Sequence, residues 1–344
     1  MIDARKKRPF TYVAALAAFA LGVTLLFVAS LGFLPGIWLC DIFSQFRLVY
    51  PIMLLACTVV AALCRTQLFA WILGSGTALM ALPVLLMFRP TACSSPPPEQ
   101  EISILNFNTE FQHNDHYNLL AELVKQRKPD VIALVEVNQK WLDELSETLR
   151  PYQYRQLALS GPGIALYSRF PLVSTEIRSF GRSHHPRILA ALQVGNQLIH
   201  FEVVHPRTPT AQGYAERNQE FELIRPEVEK MGEPVILVGD LNCGPWSPAF
   251  RGLLESGLKD TEQGLGPQPS WPARAGRVIP FISIPPLIPI DHVLVSQSVC
   301  VRERTVGPAL QSDHLPVFVR LAIPYTPESV NILVKRKMLM PTQH

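Results

Sequence analysis

Hydrophobic positions fall into two regimes along the chain. Between residues 9 and 88 the only charged residues are Asp41, Arg47 and Arg65, and three uncharged runs stand out, at 11 to 34, 48 to 64 and 68 to 88. At about 1.5 Å per residue the first would extend about 36 Å, against a hydrocarbon core about 30 Å thick, so a spanning helix is predicted there. The other two runs, of 17 and 21 residues, are separated only by Arg65, Thr66 and Gln67, which suits a tight antiparallel hairpin. No single soluble core could hide three such runs, so three transmembrane helices are expected over 11 to 88. The second, being the shortest, carries the weakest signal.

From residue 101 the period changes. Short apolar runs alternate with amphipathic stretches: ISILNFN, DVIALVEV, GIALYS, ILAALQV, LIHFEVV, PVILVGDLN, DHVLVS and LPVFVRL read as strands. Helical patterns lie near residues 115 to 128, 139 to 148 and 215 to 230. So many strands with so few helices predict two packed β-sheets with helices outside rather than one doubly wound sheet. The expected architecture is α/β (α+β): a four-layered α/β sandwich of two mixed sheets flanked by helices, preceded by the three-helix membrane segment.

Punctuation divides the chain into a basic N-terminus (1–10), the spans (11–88), a Pro/Ser-rich linker (89–100), a folded domain (101–323) and a tail (324–344). Pro96, Pro97 and Pro98 stiffen the linker, which is expected to hold the domain off the membrane. Arg5, Lys6, Lys7 and Arg8 precede the first run, and basic residues favour the cytoplasmic side. Three crossings then put the domain outside the cytoplasm, which at a bacterial inner membrane means the periplasm. The first run exceeds the roughly 7 to 15 residues of a signal-peptide core, which argues for an anchor over a cleaved leader. The tail, where Lys335, Arg336 and Lys337 cluster, is expected to be disordered rather than lipid-bound.

Composition sharpens this picture. The chain is 48% hydrophobic and 17% charged, with a net charge of +3, yet residues 101 to 323 hold 21 Lys and Arg against 24 Asp and Glu. The domain thus lacks the basic excess of a non-specific nucleic-acid binder. The six cysteines show neither CxxC pairs nor metal-ligand spacing, so neither a disulfide framework nor a zinc site is expected.

Polar residues recur at or just beyond the ends of the apolar runs: Asn106, Glu136, His205, Asp240 with Asn242, Asp291, and Asp313 with His314. Singly, each has an ordinary explanation as a turn former or surface charge. In order, LNFNTE, PDVIALVEVN, GIALYSRFPL, VVHPRTP, VILVGDLNCGPWSP, IDHVLVS and SDHLPV resemble the motifs of the endonuclease/exonuclease/phosphatase (deoxyribonuclease-I-like) superfamily over residues 101 to 323. A short GDLN match alone is common; followed in order by a strand opening on Asp and by SDHLPV, it is specific.

The resemblance implies hydrolysis of a phosphate ester by metal-assisted attack of water. It implies Glu136 as principal metal ligand, with Asn106 and Asp313 completing the site, and the oxygen donors favour Mg²⁺ (or Mn²⁺). Asp240 would orient or deprotonate the water, and Asn242 would donate to the phosphoryl oxygen. His314, fixed by Asp291, and His205 would contact the phosphate or protonate the leaving group. Which of Asp240, His205 and His314 is acid and which is base stays open. Arg207 is a weaker candidate for binding phosphate, since a loop arginine is more often solvated. His184 and His185 read as surface loop, and Cys243 has no assigned role. Trp271 and the stretch from 278 to 290 could equally line a cleft, approach the membrane or form a packed loop.

The implied partners are a phosphate-ester substrate (nucleic acid, phospholipid, or sugar or inositol phosphate) and the lipid bilayer, with no protein partner. No match is found for the tyrosine some family nucleases use, nor for a DNA-reading insertion, which weakens a nuclease reading in particular. The rival class is a non-catalytic membrane-anchored interaction protein that keeps the fold. Retention of the polar positions speaks against it.

Overall fold

The computed structural model describes residues 7–91, 93, 99–179, 181, 184–273 and 285–324. The C-terminal tail, half of the linker (92 and 94–98) and residues 278 to 284 of the apolar stretch lie outside these.

The N-terminal region folds as α1 (Lys7–Leu31), α2 (Trp38–Gln45), α3 (Val49–Leu63) and α4 (Gln67–Leu86). Helices α1 and α4 are each long and apolar enough to cross a bilayer, whereas α3 meets that test only together with α2, from which it bends by 70°. The second expected span is therefore shorter than 48 to 64. At 15 residues α3 rises about 22 Å, less than a hydrocarbon core. Ala29, Tyr50, Leu54 and Met80 form the buried centre of this bundle. Phe10, Phe27, Ile52, Leu63, Trp71 and Leu85 face outward, an apolar surface larger than a soluble domain usually leaves exposed.

The domain is a pair of six-stranded mixed sheets. In the first the order is β11 (Cys300–Val306), β12 (Val317–Pro324), β1 (Glu99–Asn108), β2 (Val131–Val135), β4 (Ile164–Ser168) and β3 (Tyr154–Ala158). In the second it is β5 (Leu172–Ser179), β6 (Pro186–Val194), β7 (Gln197–Val203), β8 (Val235–Asp240), β10 (Asp291–Ser296) and β9 (Leu258–Asp260). Each sheet contains a parallel pair, β1 with β2 and β7 with β8, amid antiparallel neighbours. Between the sheets lies an apolar core of Ile104, Leu166, Phe201, Ile236, Val293 and Val319, among others. Helices α5 (Tyr117–Arg127), α6 (Gln139–Glu144) and α7 (Ser146–Leu149) cover the first sheet through Leu120, Trp141 and Leu149. Helices α8 (Gly213–Lys230) and α9 (Pro248–Leu254) cover the second through Phe221, Ile224 and Phe250. The expected four layers are thus present.

Local chemistry explains several boundaries. Lys128 adopts a left-handed conformation that ends α5 just before Pro129. The Asn138 side chain accepts the Trp141 amide at 3.0 Å and caps α6. Four strands and two helices had no counterpart in the sequence reading: β3, β5, β9, β11, α2 and α9. Strand β5 faces solvent along most of its length, so no apolar alternation marks it.

Two expectations are corrected. Cys93 and Cys300 form a disulfide, with Cα atoms 5.5 Å apart, that ties the segment before β1 to the start of β11. The spacing of 207 residues hid it from any local motif. The linker also does not hold the domain away from the helices. Gly264 N donates to Met87 O at 2.8 Å and Gln263 Nε2 to Leu86 O at 3.1 Å, so the loop after β9 sits on the end of α4. Helix α2 docks on the domain as well.

Phe201 is 2% exposed in the inter-sheet core, and Phe201→Ala is expected to destabilise the fold by about 3–5 kcal/mol through lost burial and a residual cavity. Thermal unfolding of the detergent-solubilised chain, followed by near-UV circular dichroism, measures this; an unchanged midpoint would contradict the packing described.

Candidate functional site

The parallel strands β1, β2, β7 and β8 all deliver polar residues at their C-terminal ends. Asn108 closes β1, Glu136 follows β2, His205 follows β7 and Asp240 closes β8. Antiparallel β10 adds Asp291, whose Cα pairs in register with that of Asp240. The loop before β12 adds Asp313 and His314. Gly239 has a local role here. A Cβ at this position would come within 1.8 Å of Val204 O, so only glycine lets the end of β7 pass this close to β8 just before Asp240. Glu136 and Asn242 both hold left-handed backbones, φ 50° each, a conformation uncommon outside glycine.

Asn108 sits at the centre. Its Nδ2 donates to Glu136 Oε1 at 3.1 Å and to Asp240 Oδ2 at 3.0 Å, and lies 3.4 Å from His314 Nε2. His205 Nε2 is 3.3 Å from Glu136 Oε1, and its Nδ1 is 3.8 Å from Asp240 Oδ2. His314 Nδ1 is 2.8 Å from Asp291 Oδ2, and its Nε2 is 3.5 Å from Asp240 Oδ2. The Asn242 amide N–H donates to Asp240 Oδ1 at 2.8 Å, and its Nδ2 donates to Pro206 O at 3.0 Å. Asp313 Oδ2 accepts from Trp271 Nε1 at 3.1 Å.

Burial and charge set the protonation states. His314 is buried, which disfavours its cation, but Asp291 and Asp240 outweigh this and raise its pKa to about 10. Glu136 would be raised by burial, but the hydrogen bond and charge of His205, with the Asn108 amide, bring it down to about 2. Burial raises Asp240. His205 is raised too, its burial outweighed by Glu136 and Asp240.

Of the residues expected from sequence, Glu136, His205, Asp240, Asn242, Asp291, Asp313 and His314 meet in one place. Asn106 does not join them. It lies two residues back on the same face of β1, fully buried, and neither side-chain atom has a hydrogen-bond partner among the described residues. The site asparagine is Asn108, the second of the LNFN motif, and the two-residue period of a strand made the neighbours hard to separate. Arg207 is also absent, its guanidinium paired with Glu216 of α8 at 3.1 Å. His185, expected on the surface, is buried with its ring stacked 5.9 Å from that of His205, and burial lowers its pKa to about 4. Burial pushes the Cys243 thiol up to about 11, the profile of an inert core residue.

The cleft over this cluster measures about 340 Å³ and is also lined by Trp271, Ile288 and Ile290, so that part of the apolar stretch forms a wall. Ile42, Gln45 and Phe46 of the N-terminal region line it too, which no motif foretold. Asp41 and Arg217, at 2% and 0% side-chain exposure, pair at 2.9 Å, and Arg217 Nη1 donates to Asn242 O at 3.0 Å. Ser247 Oγ donates to Asp41, Gly244 N donates to Gln45 Oε1 at 2.6 Å, and Trp38 Nε1 donates to Pro209 O at 2.7 Å.

Glu136, His205 and Asp240 each offer a ligand atom, all within 4.8 Å of one another; Asp240, Asp291 and His314 form a second such group. The second is better read as an ion pair, because His314 Nδ1 lies 2.8 Å from Asp291 Oδ2 and its Nε2 3.5 Å from Asp240 Oδ2. The first fits a hard cation. Carboxylate oxygens dominate, and Glu136 and Asp313 keep 30% and 35% of their side chains exposed in the cleft.

A sequence profile described as the Endonuclease/Exonuclease/phosphatase family matches residues 105–314. No curated protein matches the chain. Among solved structures, D. rerio TDP2 complexed with single strand DNA product is similar at TM-score 0.56 and 16% identity, over 64% of this chain and 98% of that one. An endonuclease/exonuclease/phosphatase family protein from Bacteroides thetaiotaomicron is similar at TM-score 0.53 and 16% identity, over 66% and 99%. The endonuclease/exonuclease/phosphatase from Beutenbergia cavernae is similar at 0.51 and 17%, over 65% and 72%. At these identities the likeness is one of fold.

The two asparagines of β1 should separate in experiment. Asn106→Leu keeps the side-chain branching and replaces two unpaired polar atoms, so the melting temperature should hold or rise. Asn108→Ala removes the donor shared by Glu136 and Asp240, and phosphoester hydrolysis should fall about 10²-fold or more. The reverse pattern would return the site to Asn106.

Proposed function

The chain belongs to the Endonuclease/Exonuclease/phosphatase family, a membership that supports phosphoester hydrolysis, and from this premise we propose that it is a membrane-anchored, divalent-metal-dependent phosphoester hydrolase acting outside the cytoplasm. The observation that carries the reading is the convergence of Glu136, Asp240 and His205 around Asn108, with His314 held by Asp291.

In this reading Glu136 would hold the cation, Mg²⁺ or Mn²⁺, with Asp313 in the same cleft and the buried Asn108 donating to Glu136. The bound cation would offset charge on the phosphoryl oxygens and favour the attacking water. Asp240, its proton affinity raised by burial, takes the proton of that water as its oxygen bonds to phosphorus. His314, kept cationic and oriented by Asp291, faces the charge that builds on the non-bridging oxygens, and Asn242 adds its remaining amide donor there. His205 gives its proton to the leaving oxygen as the ester bond breaks.

Two observations support the orientation. Helix α2 follows one crossing, and its contacts with the domain would put both on the side opposite the N-terminus, whether α3 and α4 pass through and back or form a re-entrant hairpin. The Cys93–Cys300 disulfide suits an oxidising compartment. The N-terminus is then cytoplasmic and, at a bacterial inner membrane, the domain periplasmic.

Two experiments test this. The full chain in detergent with Mg²⁺ is offered single-stranded DNA, duplex DNA, phosphatidylinositol phosphates and sphingomyelin, beside Glu136→Ala and Asp240→Ala. At least one substrate should be hydrolysed, with each substitution lowering the rate by about 10²–10⁴-fold and chelation abolishing it. Absence of metal-dependent hydrolysis that both substitutions remove would sink the enzymatic reading. For sidedness, a reporter active only outside the cytoplasm, fused after residue 100, should be active; a silent reporter beside an active cytoplasmic one reverses the topology.

A further inference from the structure

The cleft lining mixes two kinds of residue: Asp240 and His314 are polar, while Ile42, Phe46, Trp271 and Ile288 contribute apolar surface. Among the described residues no lysine or arginine lines it, unlike the cationic track along which a nucleic-acid backbone runs. Such a mixed lining suits an amphiphile whose phosphate meets the polar residues while an apolar chain lies along the apolar ones.

Where that apolar lining comes from identifies the chain's source. Ile42 and Phe46 are four residues apart and share one face of the α2 turn, both half-buried. Asp41, Ser44 and Gln45 are fully buried, and Asp41 and Gln45 fasten the helix to the domain. Phe46 also packs against the bundle centre of Ala29, Tyr50, Leu54 and Met80, so the apolar wall is continuous with helices whose outer surfaces suit lipid. Helix α2 lies between the end of α1 and the start of α3, which fixes it at the level of the bilayer surface when those helices are inserted.

We propose that this cleft takes a phosphoester bearing an acyl or alkyl chain, drawn from the bilayer that holds the chain's own helices, and that Ile42 and Phe46 of the membrane region set this preference. The proposal rests on the hydrolase reading above and narrows its substrate. The membrane region then does more than anchor, because without α2 the cleft loses one wall.

The test uses the full chain in lipid nanodiscs with Mg²⁺ and two synthetic diesters, ethyl and hexadecyl 4-nitrophenyl phosphate. They share the reacting centre: in each, water oxygen bonds to phosphorus, the bond to the aryl oxygen breaks, 4-nitrophenolate leaves, and the proton of the attacking water passes to solvent. The hexadecyl ester should have the higher kcat/KM by at least about tenfold, which is about 1.4 kcal/mol. Ile42→Ser combined with Phe46→Ser should bring the ratio towards one. A ratio near one in the unaltered chain, one unaffected by the substitutions, or a higher kcat/KM for single-stranded DNA than for the hexadecyl ester overturns the inference. If neither ester is hydrolysed, it is the hydrolase reading that fails, and the chain preference is read from binding instead. Hexadecyl phosphate, and not ethyl phosphate, should protect the thiol of Ile42→Cys from alkylation, followed by peptide mass. Equal labelling in the two overturns the inference independently of catalysis.

Discussion

The buried ion pair between Asp41 and Arg217 joins the two halves of this chain. Both side chains are withdrawn from water, and removing one partner of such a pair typically costs about 3–5 kcal/mol. Ser247 and the Asn242 carbonyl engage the remaining valences of the pair, so it is held by a network and not by one contact. The network reaches from a helix between two apolar runs, through α8, to the backbone of a cleft residue. An Asp in an otherwise nearly uncharged region is costly unless something meets it, and the domain supplies what meets it.

The same logic of satisfied burial arranges the cleft. Two sheets, each with one parallel pair, bring four strand ends to one edge, and the Asp240–Asp291 register adds a fifth group from an antiparallel neighbour. Behind them Arg304 donates to Glu262 at 2.7 Å and to Asp291 O at 3.1 Å, while His292 pairs with Asp260 at 3.0 Å. These buried contacts fix β10, and through it the carboxylate that orients His314. Glycine at 239 is required for a related reason, since the backbone of β7 occupies the place of its Cβ.

Much of this was legible in the chain. Strands whose faces are both buried, such as β2, β8 and β10, announce themselves as apolar runs, and the chemistry sits where those runs stop. What escaped has physical reasons. Asn106 and Asn108 lie on one face of one strand, and no local pattern tells which reaches the cleft and which stays in the core. The disulfide joins residues with no shared motif. Helix α2 mixes Asp41 and Gln45 with Trp38 and Ile42 over two turns. Its polarity makes sense only once the partner across the interface is known, which a one-dimensional pattern does not contain. His185 was hidden in the same way, since its burial depends on a ring 20 residues further on.

Charge balance links the cleft's inner surface to its proposed cation. Glu136, Asp240, Asp291 and Asp313 gather beside only two imidazoles, those of His205 and His314. Even with both imidazoles charged, the four carboxylates outnumber them, and a phosphate anion would gain little by entering. A divalent cation at Glu136 changes the sign of that comparison, and it does so where the side chains remain partly open to the cleft. The apolar wall acts on the other half of the same problem. It excludes water next to the reacting ester, which strengthens each of these charge interactions, and it gives a chain-bearing phosphoester a favourable contact that no small soluble ester obtains. On the proposed reading the polar edge of the sheets would determine the reaction, and the short helix α2 would determine which esters reach it.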